Sequence, residues 1–100
     1  MRLGTISKQP ADFLDYDIDY SEWLLGNDAI NEITVDVTRD DGAGLSSEDL
    51  EVRYVINNNP IVKLWLANGV DQERYKIEVT IRTNNGRIKQ VELRTRVRDI

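Results

Sequence analysis

The sequence predicts an all-β domain: an Ig-like antiparallel sandwich of two sheets and about seven strands, with a small β-barrel as the alternative. Three observations carry that prediction. Apolar and polar residues alternate with period two through most of the chain. Turn signals interrupt the alternation every roughly 8–12 residues, and no stretch keeps helical periodicity beyond a turn or two. One hundred residues suffice for one such core and no more.

Each element follows from its own pattern. Residues 1–12 carry Gly4, Ser7 and Pro10 with little periodicity, and are expected to form a flexible N-terminal arm. Residues 13–100 are then a single Ig-like domain. Its first strand is "LDYDIDY", 14–20, with Leu14, Tyr16, Ile18 and Tyr20 on one parity and Asp15, Asp17 and Asp19 on the other. "SEWLLGND" follows, where Ser21 could cap one helical turn. "ITVDVT", 33–38, turns Ile33, Val35 and Val37 inward, and "RDDGAGLSSED", 39–49, has the composition of a mobile loop.

"LEVRYVI", 50–56, places Leu50, Val52, Tyr54 and Ile56 on one face, and "NNNP" ends it at Pro60. "IVKLWLA" sets Val62, Leu64 and Leu66 against Ile61, Lys63 and Trp65. After the turn "NGVDQE", the segment "YKIEVTIRT", 75–83, alternates without a slip. "NNG", 84–86, signals a hairpin. The last strand buries Val91, Leu93 and Val97 and exposes Glu92, Arg94, Arg96 and Arg98, with Ile88 out of phase near the turn.

Composition removes whole chemistries. The apolar share is 40% and the charged share 31%, as in a folded soluble domain. No apolar run reaches the roughly 20 residues that span a bilayer, and the N-terminus lacks a signal-peptide core, so no membrane partner and no secretion are expected. With no His and no Cys there is no Ser-His-Asp triad, thiol nucleophile or ordinary zinc site. No cofactor is expected, and an enzyme would have to run on carboxylates alone.

Charge is divided unevenly. Residues 1–50 hold 12 acids and 3 bases, and residues 51–100 hold 6 acids and 10 bases, giving −9 and +4 and the net −5. So acidic a chain is a poor partner for nucleic acid.

Three uses are open for Asp15, Asp17 and Asp19. They could line a calcium site, although an EF-hand's central Gly and distal Glu are missing and carboxylates two apart on a strand lie about 6.5–7 Å from each other. They could be a solvated face. They could also pair with Arg94, Arg96 and Arg98, if the first strand lies beside the last, and so fix register. Were the stripes apart, one acidic and one basic face would suit head-to-tail contact between copies. Trp23 is expected to plug one end of the sandwich and Trp65 to be core or half-buried, and either could anchor an interface.

Two segments taken together resemble a known family. They are "KQPADFLDYDIDYSEWL" (8–24) and "VKLWLANGVDQERYKIEVTIRTNNGRIKQVELRTRVRD" (62–99). The shared pattern comprises Pro10, the opening Leu14-Asp15-Tyr16, Ile18-Asp19, Ser21 and Trp23-Leu24. It continues with Trp65, Gly69, Tyr75, Thr83, Gly86-Arg87 and the Arg-rich end with Arg96 and Arg98. This resembles the bacteriophage fiber-tail adaptors, small virion proteins of tailed phages. The pattern leaves 27–60 unmatched and expects a second Gly where this chain has Gln72 and Glu73.

The resemblance implies a non-enzymatic structural protein of a phage or prophage virion, made in the host cytoplasm. It would join tail components or fibres through protein–protein contacts, and could also meet copies of itself in a ring. The arm would then order on a neighbouring subunit. The residues offered as interface are Asp15, Asp17, Asp19, Trp23, Arg94, Arg96 and Arg98. The competing reading from the same residues is a calcium-dependent Ig-like binding module.

Overall fold

The computed structural model describes residues 2–56 and 59–99. Seven strands account for the fold: β1 (Arg2–Lys8), β2 (Leu14–Asp19), β3 (Ile30–Arg39), β4 (Glu51–Ile56), β5 (Ile61–Ala67), β6 (Arg74–Thr83) and β7 (Ile88–Val97). They form a larger sheet in the order β1-β7-β6-β3 and a smaller one in the order β2-β5-β4. The sheets remain separate, so the fold is a sandwich and not a closed barrel. There is no helix among the described residues. Asn57 and Asn58 of the "NNNP" break lie outside those residues.

The N-terminal segment departs from expectation. Residues 2–8 are strand β1, and it runs parallel to β7, with Thr5 opposite Arg94 and Lys8 opposite Val97. The sandwich is therefore antiparallel except at this edge. A register shift between Arg2 and Gly4 explains why alternation hides the strand. The irregularity changes parity, so Leu3 and Ile6, three apart, both pack against the core. At the end of the strand, Lys8 is buried, and its ammonium donates to the carbonyls of Gln9 and Asn68. Burial holds its pKa below the usual lysine value.

The core sits where alternation places it. Tyr75, Ile77, Val79 and Ile81 of β6, Val91, Leu93 and Val97 of β7, and Val62, Leu64 and Leu66 of β5 are all 1% exposed or less. Each such side chain contributes about 1.5–3 kcal/mol by leaving water. Strand β4 is looser. It is paired on one side only, and Tyr54, expected inward, is 45% exposed.

One end of the sandwich is tied by Tyr75, the first core residue of β6. Its hydroxyl accepts from the Val70 N–H at 3.0 Å and donates to Asp49 at 2.7 Å. Asp49 is itself buried, and also accepts from the Ser46 N–H at 2.7 Å and the Arg39 guanidinium at 3.1 Å. The Ser46 N–H and then the Tyr75 hydroxyl hold this carboxyl below the usual carboxylate range. The 39–49 segment is a loop, as its composition predicts, but a buried acid pins its far end. In the next turn Gly69 adopts φ 113°, and a Cβ there would lie 2.6 Å from Val97 Cγ2. Gln72, where the family pattern expects a glycine, adopts φ 73°.

Candidate interface surfaces

Asp15, Asp17 and Asp19 point outward from β2, as their parity predicts. Their partner is not the last strand. β2 pairs with β5, while β1 occupies the β7 edge that the cross-strand pairing would require of the acidic strand. The acids and Arg94, Arg96 and Arg98 therefore belong to different sheets, and no cross-strand pairing joins them. Instead Lys63, opposite Asp17, reaches Asp15 at 3.0 Å and Asp17 at 3.3 Å. The bond to Asp15 pushes the lysine pKa up, and the same bond pulls that of Asp15 down.

Asp19 is occupied locally. Its carboxylate accepts from the Ser21 N–H at 2.9 Å, capping a turn in which the Trp23 and Leu24 N–H groups both donate to the Tyr20 carbonyl. That is the capping role expected of Ser21, taken by the acid before it. An ammonium thus stands where a cation bridging Asp15 and Asp17 would sit. Among the described residues no cluster of three or more His, Cys, Asp or Glu could hold a metal.

Aromatic rings share this outer face. Trp65 is half-buried on the outer side of β5, and Phe13 stacks on it at 5.3 Å with an interplanar angle of 11°. Phe13 remains 59% exposed, and Lys63 lies 5.3 Å from the Trp65 ring centre. Acid, lysine and stacked rings together make a mixed face with much of its charge already matched.

The outer face of the larger sheet is different. Arg94 is matched by Glu92 at 2.8 Å and Asp40 at 3.0 Å. Arg96 is directly opposite Arg74 across β6 and β7, and neither side chain has an ion-pair partner among the described residues. Both line a depression of about 480 Å³ together with Arg2, Thr5 and Arg94. A second depression of about 280 Å³ is bounded by Lys8, Asp12, Arg96 and Arg98, so Arg96 belongs to both. Sequence reasoning missed Arg74 because it follows the "NGVDQE" turn. Its parity with Lys76 and Glu78 was the signal that could have found it.

Trp23 closes the opposite end. The Arg87 guanidinium lies 4.0 Å from its ring centre and donates to the Trp23 carbonyl at 2.9 Å; Lys89 lies 5.5 Å away. Tyr20 meets the indole edge-on at 6.5 Å. Burial raises the Tyr20 hydroxyl pKa to about 12. Trp23 therefore seals the hairpin end, with two cations over its ring.

These features define a small all-β domain whose distinctive chemistry lies on the outer faces of two sheets. The chain belongs to the family described as Podophage GP4 fiber-tail adaptor protein gp77, which matches residues 8–96. No curated protein matches the chain. The family is a phage structural adaptor, and the match includes residues 27–60, which the motif pattern left uncovered. Membership makes the protein a virion component that meets other tail or fibre proteins. No helix among the described residues is long and apolar enough to cross a membrane.

Proposed function

We propose that this chain is a non-enzymatic, Ig-like adaptor that bridges two different virion proteins through two chemically unlike outer faces. The Ig-like reading is supported by strand order: the sets β2-β5-β4 and β3-β6-β7 correspond to the BED and CFG groupings of that fold. A tyrosine at the start of the sixth strand, bonded back to the backbone five residues upstream, is a further feature of such sandwiches.

The observation that carries the bridging is the contrast between the faces. One presents the unmatched Arg74 and Arg96, with Arg94 of the last strand held by two acids and Arg98 just past the end of that strand. The other presents Asp15 and Asp17 around Lys63, Asp19 at the end of the strand, and a stacked Phe13–Trp65 pair. Charged surfaces fix partner choice and orientation, and aromatic anchors contribute contact energy. Trp23, under Arg87, shares a depression with Asp19 and Lys89 at the end of the sandwich. A net charge of −5 argues against nucleic acid as a partner. The protein, made in the host cytoplasm, would take its place in the tail beside fibre proteins, with copies adjacent where the tail is symmetric.

Phage carrying variants of each face test this. Replacing Arg96 and Arg98 by Gln should yield particles lacking one contact, and replacing Phe13 and Trp65 by Ser should yield particles lacking a different one. Identical particles from both variants, or normal particles from both, would contradict a two-faced bridge.

A further inference from the structure

The larger sheet leaves a specific electrostatic problem unsolved. Arg74 and Arg96 are directly opposite each other across an antiparallel pair, an arrangement that destabilises a sheet when both are charged. The chain has 18 acids, yet none reaches either side chain among the described residues. Asp40, which lines the same depression, and Glu92 are already engaged by Arg94. Arg96 also joins the two depressions, so the unmatched guanidiniums of Arg74 at the start of β6, Arg96 near the end of β7 and Arg98 just past it line one track across that end of the sheet.

We propose that this track binds an extended acidic segment of a partner protein, with its carboxylates on alternate residues. Carboxylates match the planar guanidinium fork with two parallel hydrogen bonds. In an extended chain, alternate side chains repeat about every 6.5–7 Å, the same interval that separates the outward residues of β7. A segment lying along that strand can therefore meet Arg94 and Arg96 in register, with Arg74 beside Arg96 and Arg98 just past the end of the strand. A long polyphosphate, charged on every unit, fits less well, because it cannot keep charge away from Asp12 and Asp40 on the rims, whereas a segment with carboxylates on alternate residues can set neutral residues beside them. The inference deepens the adaptor reading by giving the chemistry of one partner, and it is tested without virus particles.

The experiment is fluorescence anisotropy of the full-length protein with a labelled peptide of alternating Asp and Ser. Saturable binding that weakens with salt is expected, and R74Q/R96Q should weaken it by about tenfold or more. R74K/R96K, which keeps charge but loses the fork, should fall between the two. R82Q, on the same sheet outside the track, should bind as the unaltered protein does. The melting temperature of R74Q/R96Q should not fall, since the change removes a repulsion. Absent saturable binding, or undiminished binding by a folded R74Q/R96Q, would overturn the proposal. So would tighter binding of a short duplex DNA, or a self-assembled oligomer that R74Q/R96Q dissociates without peptide, which would assign the track to a second copy. Absent peptide binding with normal face-dependent incorporation into particles would remove this inference alone and leave the adaptor reading standing.

Discussion

The two sheets solve the same design problem in opposite ways. The larger one has two strands, β6 and β7, paired on both sides and buried throughout on the inner face; the smaller has only β5 in that position, with β4 half-open at its edge. Their outer faces differ in the other direction. Three aspartates on the smaller sheet attract notice in the sequence, yet Lys63 matches two of them and a turn engages the third. Arg74 on the larger sheet attracts no notice, yet it stands unmatched against Arg96. Alternation says which side chains meet water. It does not say which charges are free, because that depends on which strand lies alongside.

The largest test of this comparison is in the core. Ile77→Ala, at a fully buried site in the larger sheet, should cost about 2–5 kcal/mol in chemical denaturation. Val52→Ala, half-buried at the edge of the smaller sheet, should cost about 1 kcal/mol. Equal losses would erase the distinction between the sheets.

Next in size is the tie between Tyr75 and Asp49. Tyr75→Phe removes both hydroxyl hydrogen bonds and should cost about 1–3 kcal/mol. The same site sets a pH dependence. Hydrogen bonds from Ser46 and Tyr75 depress the folded pKa of Asp49 relative to an unfolded value of about 3.9. Its stabilisation is therefore fully present above that value and lost as pH falls through the lower folded one. Melting temperature measured down the acid limb should decline less steeply in Asp49→Asn than in the unaltered protein; parallel limbs would exclude Asp49 as a contributor.

The smallest effect belongs to the outer face of the smaller sheet. Lys63→Met leaves Asp15 and Asp17 repelling each other and should lower the melting temperature slightly, with the loss shrinking in salt. Because Lys63 already stands between these acids, calcium and EDTA should give superimposable melting curves for the unaltered protein. A calcium-dependent rise would restore the metal reading.

Much of the fold was legible. Strands β2, β5, β6 and β7 show in their alternation because each has one buried and one wet face. Strand β1 was hidden by the register shift near Gly4, which spoils the period that announces a strand. With β1 unseen, the acidic strand counts as the first, and a place beside the last strand stays open to it that β1 in fact fills. Of the uses open for the acidic stripe, that arrangement removes the cross-strand pairing with Arg94, Arg96 and Arg98. Asp49 could not be foreseen either, because an acid closing a loop of glycines, serines and acids looks solvated until Tyr75 is placed above it. Deleting residues 1–8, harmless if they were a loose arm, should instead destabilise the fold.

The most direct measurement is a cryo-EM map of the assembled tail at side-chain resolution. The two-faced bridge predicts Arg74, Arg96 and Arg98 against acidic residues of one protein, and Phe13 and Trp65 against a second, different one. A map in which both faces are bare, or in which both touch the same partner, would contradict it.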